Sequence, residues 1–133
     1  MPNEQRYPVM RSKVDIRAET FDANRSGNLQ ALDEVQAALT KANGGGEKYV
    51  ERHLSRGRIL PRKRIEMLLD RDSYFLEIAP LAGHAMKGEV SGSSVVGGVG
   101  VVSGVECVIV ASEATVKGGA VTPISMLKTG RLA

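Results

Sequence analysis

The chain has 133 residues, enough for one hydrophobic core of ordinary size and too few for two domains of typical size. Apolar residues make up 42% of it and charged residues 25%, a composition that excludes a disordered or collagen-like chain. Aromatic residues make up only 4%, and the net charge is +3. Little material is therefore available for the stacking platforms that bind single-stranded nucleic acid.

Cysteine and histidine are scarce. A single Cys107 excludes a disulfide within the chain, and His53 and His84 have no neighbours at ligand spacing, which argues against a metal site. The first ten residues show neither a signal peptide nor a transit peptide pattern, and no run approaches the roughly 20 apolar residues of a membrane span. The expected location is the cytoplasm, without membrane contact.

The first half of the sequence has helical patterns. Apolar residues recur at steps of three and four along residues 25–48, which predicts an amphipathic surface helix that ends at the glycine run 44–46. Residues 47–57 predict a shorter helix. Pro61 is a favoured first helical residue, and the apolar residues after it predict a third helix before Asp70.

Basic residues are concentrated at the junction of the second and third helices. A solvated helix surface explains any one of them, but their density favours an anionic partner, either nucleic acid or the phosphates of a nucleotide-linked substrate. The cluster comprises Arg52, Arg56, Arg58, Arg62, Lys63 and Arg64.

The second half has strand patterns. Residues 74–80 predict a short strand, and residues 81–94 a loop. Two β-branched runs then meet at Ser103-Gly104, which predicts a hairpin. Glycines at 97, 98 and 100 indicate a bulge or a closely approaching backbone. The run 107–111 lacks polar alternation, which predicts a strand covered on both faces.

A Lys117-Gly118-Gly119 turn follows the last strand run. It lacks the GxxxxGK[ST] pattern of a triphosphate-binding loop, because the lysine precedes the glycines. Two readings stay open at this point. The glycines form a tight corner only, or they leave a backbone amide free to stabilise a developing oxyanion, where a Cβ would block the approach.

Two long segments, RHLSRGRILPRKRIEMLLDRDSYFLEIAPLAGH and GGVGVVSGVECVIVASEATVKGGAVTP, make a family resemblance visible. The sequence resembles the N-terminal region of carboxyltransferase β subunits of biotin-dependent acyl-CoA carboxylases, of the methylcrotonoyl-CoA and geranyl-CoA type, with the propionyl-CoA type as a cousin. The resemblance implies an α/β fold in which N-terminal helices precede the first part of a crotonase-like ββα superhelix. Residues 1–72 would form the helical segment with the basic cluster, and residues 73–133 the start of the acyl-CoA-binding domain.

The resemblance also implies a chemistry. Biotin, carried by a biotin carboxylase or biotin carrier partner, would deliver a carboxyl group to an acyl-CoA through an enolate, without a metal in the carboxyltransferase site. Gly118 and Gly119 would donate backbone hydrogen bonds to the oxyanion. Lys117 and three arginines of the cluster, Arg56, Arg58 and Arg62, would bind CoA. Other copies of the β subunit would complete a hexamer, in the mitochondrial matrix if the source is eukaryotic.

The sequence departs from the family pattern in three ways. Ser112-Glu113 stands where Asn-Asp is usual, and ISMLKTGRLA follows Pro123 where a Lys-Lys-rich helix start is usual, which leaves the acyl group open. A second oxyanion loop and the biotin site would lie beyond Ala133, so the 133 residues alone are expected to be inactive, whether the end is natural, engineered or proteolytic. Two alternatives remain: a non-catalytic assembly fragment of the same complex, and a small basic module that binds nucleic acid.

Overall fold

The computed structural model describes residues 11–133. The chain divides into two compact units, one that ends at Asp33 and one from Glu34 to Ala133. The boundary predicted between residues 72 and 73 stays a prediction. In chain order the elements are α1 (Phe21–Asn43), α2 (Glu47–Ser55), α3 (Pro61–Leu68), β1 (Leu76–Glu77), β2 (Val95–Val102), β3 (Val105–Ser112), a 3₁₀ turn (Lys117–Gly119) and α4 (Pro123–Gly130).

Helix α1 begins earlier than the periodicity predicts, at Phe21, whose N–H donates to the carbonyl of Ala18. Asp22 lies in the first turn, where a negative charge stabilises the helix dipole. The helix ends before Gly45, which adopts a φ of 67°. Of the apolar stripe only Ala42 is buried. Most of the stripe is exposed, so helix propensity contributes more to α1 than core packing does.

Helices α2 and α3 confirm the sequence prediction. Pro61 occupies the first turn of α3, where its missing N–H leaves no hydrogen bond unmade. Ile65 in the middle of α3 is buried, and Leu69 directly after the helix packs against the same core. Helix α3 therefore lies on the sheet through one apolar face.

The sheet is antiparallel, with strand order β1-β2-β3. The predicted hairpin is present: Ser103 and Gly104 connect β2 to β3 with φ values of 51° and 78°, as a two-residue turn with two left-handed residues requires. Asp70 fixes this turn from outside, since its carboxylate accepts the N–H groups of Ser103 at 2.6 Å and of Gly104 at 2.7 Å.

Glycines in β2 allow neighbours to approach. A Cβ on Gly98 would lie 2.2 Å from the carbonyl oxygen of Leu76 in β1. Cβ atoms on Gly97 and Gly100 would meet the side chains of Leu132 and Leu69. The β2–β3 pairing runs from Val95 to Val102 without interruption, so the glycines mark close approach and not a bulge.

The core lies between α3 and one face of the hairpin, and it confirms only half of the prediction for β3. Ile109 and Ala111 are buried, whereas Val108 and Val110 are 55% and 47% exposed. Within residues 11–133 only one face of the run 107–111 is covered, so the prediction of cover on both faces stays a prediction. Side chains alternate between the two faces of a strand, and α3 packs on only one of them.

A partly buried charge network connects three elements. Both carboxylate oxygens of Glu77 in β1 accept from Nη2 of Arg62 in α3, at 2.9 and 3.0 Å. Lys128 in α4 is only 2% exposed, lies 3.6 Å from the same carboxylate, and donates to the carbonyl of Gly92 at 3.2 Å. Burial lowers the pKa of Lys128, and the charge of Glu77 opposes that effect.

The close approach at Gly98 predicts a stability effect. Gly98→Ala places a methyl group against the rigid backbone of β1, so it should lower the free energy of unfolding by about 1–3 kcal/mol in urea denaturation. Gly27→Ala is the control, because its Cβ meets nothing within 4 Å and alanine favours a helix interior. Equal stability of Gly98→Ala and the wild type would contradict the packing described for β2.

The buried lysine predicts a pH effect. Between the lowered pKa of Lys128 and its usual value of about 10.4, the unfolded chain holds a proton that the folded chain has lost. The stability contributed by this site therefore rises with pH across that window. Urea denaturation from about pH 8 to about pH 10 should show the wild type gaining stability relative to Lys128→Met. Lys63→Met, which removes an exposed lysine, is the control, and the wild type should not gain stability relative to it over the same pH range. An equal change in stability with pH for the wild type and Lys128→Met would contradict the burial of Lys128.

Candidate functional site

A cleft of about 440 Å³ opens between α2 and the segment that follows β3. One wall comes from α2 and the residues just after it, and the other from the turn that contains the two predicted glycines. The lining residues are Tyr49, Arg52, His53, Arg56, Arg58, Ala114, Thr115, Lys117 and Gly118. This space is called the basic cleft below.

The α2 wall follows from helical spacing. Positions 49, 52, 53 and 56 are separated by steps of three and four, so they share one side of the helix. Arg52 and His53 lie in the last turn, where the helix dipole favours positive charge. Gly57, with a φ of 69°, then turns the chain so that Arg58 also reaches the cleft.

The opposite wall is a tight turn at the end of β3. Lys117, Gly118 and Gly119 have φ values of 47°, 68° and 78°, three left-handed residues in succession. The Gly119 N–H donates to the carbonyl of Val116 at 2.8 Å. No acceptor within residues 11–133 takes the Gly118 N–H. The two predicted donors therefore differ, since one amide closes the turn and the other is unpaired there.

Lys117 lies between two cavities. Its ammonium is 3.2 Å from a carboxylate oxygen of Glu89, and its side chain also lines a second cleft of about 850 Å³. Apolar residues of that second cleft include Met86, Val90 and Val116. A ligand with one anionic and one apolar part could thus contact both spaces through a single region of the chain.

The electrostatics of the basic cleft favour anions. Arginine or lysine occupies four of the nine lining positions, and no carboxylate lines it. Concave surfaces lined by one sign of charge concentrate ligands of the opposite charge, and arginine binds phosphate through paired hydrogen bonds. The arrangement can hold a phosphate group and present a backbone donor beside it.

The structure brings together four of the six predicted site residues, Arg56, Arg58, Lys117 and Gly118. Gly119 adjoins the cleft, with its amide already engaged. Arg62 lies elsewhere, paired with Glu77. Their roles stay predictions.

Sequence reasoning did not select five residues of the cleft as site residues. Two of them, Ala114 and Thr115, belong to the wall after β3. The other three are Tyr49, His53 and Arg52, which the predicted basic cluster contains, and they belong to the α2 wall. Their helical spacing relative to Arg56 was a usable signal. Within residues 11–133, no group of three or more His, Cys, Asp or Glu side chains is arranged to hold a metal ion. None of the helices in that range is long and apolar enough to cross a membrane.

Comparison with known proteins identifies the family. Residues 52–132 match the carboxyl transferase domain. The chain belongs to this family. It is 46% identical over 121 residues to a probable biotin-dependent acyl-coenzyme A carboxylase beta2 subunit of Mycobacterium tuberculosis, covering 90% of this chain and 23% of that protein. It is 42% identical to a probable mitochondrial methylcrotonoyl-CoA carboxylase beta chain of Drosophila melanogaster, covering 90% of this chain and 21% of that one.

Solved carboxyltransferases have the same fold. The geranyl-CoA carboxylase beta subunit of P. aeruginosa superposes with a TM-score of 0.79 at 33% identity, covering 94% of this chain and 24% of that chain. The transcarboxylase 12S core superposes with a TM-score of 0.67 at 27% identity, covering 80% and 22%. The crotonase-type fold predicted from the sequence is confirmed. The chain spans about a quarter or less of the length of these relatives.

Arg56 lines the basic cleft and Arg62 pairs with Glu77, so their replacement should affect anion binding differently. Arg56→Ala should weaken binding of inorganic pyrophosphate about tenfold, because a charge-assisted hydrogen bond in the basic cleft is lost. Arg62→Ala should leave that affinity unchanged and lower stability, because both carboxylate oxygens of Glu77 lose their guanidinium donor. Titration calorimetry with urea denaturation separates the two effects. Equal affinities of the two variants would contradict the assignment of the cleft.

Proposed function

We propose that the chain forms the acyl-CoA-binding part of the carboxyltransferase subunit of a biotin-dependent acyl-CoA carboxylase. One observation carries the proposal: in a chain of the carboxyl transferase family, basic side chains line the same cleft at the end of β3 as Gly118, whose amide is unpaired within residues 11–133. The names of the M. tuberculosis and D. melanogaster relatives point to an acyl-CoA substrate.

The phosphates of CoA are assigned to the basic cleft. Arg56 and Arg58 provide planar donors on the α2 wall, and Lys117 provides a point charge on the opposite wall. Because Lys117 also lines the second cleft, the adenosine end of the ligand would extend from the phosphates towards Met86 and Val90, and the pantetheine arm would lead along the basic cleft to Gly118. Arg62 is not assigned to CoA, since Glu77 holds its guanidinium.

The thioester oxygen is assigned to Gly118. Gly118 follows the end of β3 and lines the cleft, and its N–H is unpaired within residues 11–133. Negative charge grows on the thioester oxygen as an enolate forms, and a fixed backbone donor stabilises that charge more than it stabilises the substrate. Gly119 supports this arrangement because its own N–H closes the turn onto Val116.

Partners complete the proposed activity. Biotin on a partner subunit would supply the carboxyl group, which would replace a proton on a carbon made acidic by conjugation with the thioester carbonyl, and no residue of this chain is assigned to biotin. The transcarboxylase 12S relative assembles as a hexamer, and we propose a similar assembly of β subunits here. We place the complex in the cytoplasm, or in the mitochondrial matrix of a eukaryote.

The activity is tested by radiolabelled bicarbonate fixation. The protein at its full encoded length, combined with a biotin carboxylase and biotin carrier partner, should incorporate label into one of a set of acyl-CoAs that includes methylcrotonoyl-CoA and geranyl-CoA. Absence of both incorporation and CoA binding, together with salt-dependent DNA binding, would overturn the proposal in favour of a nucleic-acid-binding module.

The oxyanion assignment predicts the effect of a side chain at position 118. Gly118→Val should lower the turnover number at least tenfold, because a β-branched residue at a φ of 68° strains the turn and fills the open space beside the amide. Gly104→Val is the matched control. It has a φ of 78° and open surroundings, and it lies at the hairpin tip. Equal turnover of the two variants would contradict the role of Gly118.

A further inference from the structure

Glu113 is a buried carboxylate that the proposed chemistry does not use. It directly follows β3, is only 5% exposed, and accepts hydrogen bonds from the N–H of Thr115 at 3.1 Å and from the Thr115 hydroxyl. Placing a carboxylate in the interior costs free energy unless hydrogen bonds compensate for the lost water. Because Thr115 also lines the basic cleft, the buried Glu113 carboxylate can influence the geometry of the cleft as well as the local turn.

Thr115 transmits the effect of Glu113 to the other wall. Because its hydroxyl proton points to Glu113, the same oxygen is free to accept, and it takes the N–H of Gly46 at 3.0 Å. Gly46 is the N-cap of α2 and has no side chain to cap the helix itself. The start of α2 therefore depends on a hydrogen-bond chain that ends at Glu113, and the first bond of this chain joins Gly46 to Thr115, 69 residues away in sequence.

Helix α2 carries most of the cationic wall. Gly46 accepts the Tyr49 N–H at 2.8 Å, and Tyr49 begins the row that continues through Arg52 to Arg56. A shift at the helix start moves this row relative to Lys117 and Gly118 opposite. The Gly119 N–H and the Val116 N–H are held by backbone carbonyls, so the turn itself does not rely on the Glu113 side chain.

We infer that Glu113 is a positioning residue for the phosphate-bearing end of the substrate, acting through Thr115 and Gly46 on the arginines of α2. The inference rests on the proposed function. It separates two roles of the cleft: the Glu113 side chain sets the spacing that the CoA phosphates require, while the backbone turn presents the amide to the thioester. Removing the Glu113 side chain should raise the KM for acyl-CoA and leave kcat nearly unchanged.

The experiment compares two substrates in the full-length carboxylase complex. For Glu113→Ala, the KM for acyl-CoA should rise about tenfold, the loss expected when one charge-assisted contact is misplaced, with kcat within about twofold. The kcat/KM for the acyl-pantetheine, which has the thioester but no phosphates, should stay unchanged. Glu113→Gln keeps an acceptor oxygen and should retain the wild-type KM. Glu66→Ala removes an exposed carboxylate elsewhere and serves as control.

Thr115→Val removes the hydroxyl at nearly constant volume and should reproduce the selective rise in KM, which keeps the test open if Glu113→Ala fails to fold. An equal loss on acyl-CoA and acyl-pantetheine, or an unchanged KM in both variants, would overturn the positioning role. Failure of the wild type itself to bind CoA in calorimetry would overturn the proposed function instead, so the two failures are distinguishable.

Discussion

The contact between Gly46 and the backbone of Thr115 determines where the walls of the basic cleft lie. A Cβ on Gly46 would sit 2.0 Å from the Thr115 carbonyl oxygen, a distance that no side chain tolerates. The connection between α1 and α2 therefore packs directly on the segment after β3. Because α2 starts at this contact, its cationic row is placed relative to the strand end by the backbone contact, and the Glu113–Thr115–Gly46 hydrogen bonds then set its spacing.

Some of the basic side chains of this chain pair with carboxylates of the fold, and others do not. Glu77 binds Arg62 and lies close to Lys128, so those two cations stabilise the packing of α3 and α4 on the sheet. Glu89 holds Lys117 at the edge of the cleft. The arginines of α2 face no carboxylate in the basic cleft and keep their charge for a ligand. A cluster that is uniform in sequence thus separates into structural and ligand-facing groups.

Local patterns predicted the elements well, and pairwise partners poorly. Three helices, the hairpin and its Ser103-Gly104 turn follow from periodicity and turn chemistry, which act over a few residues. The Arg62–Glu77 pair joins residues 15 apart, and the Gly46–Thr115 bond joins residues 69 apart. Periodicity and turn patterns act over a few residues, so they do not predict partners this far apart in sequence. The same limit explains β3, whose apolar run shows that burial is possible but not which layer covers each face.

In the turn at the end of β3, Lys117 has a strained backbone conformation and forms an ion pair with Glu89. Lys117 adopts a left-handed φ of 47°, which costs a residue with a Cβ about 1 kcal/mol, while the glycines after it adopt similar angles without that cost. The ion pair with Glu89 offsets part of this strain and keeps the lysine in the turn. In this run of three left-handed residues, the Gly118 N–H meets no acceptor within residues 11–133. An unpaired donor at this point is thus a consequence of the backbone geometry, and a lysine held beside it brings positive charge to the same place.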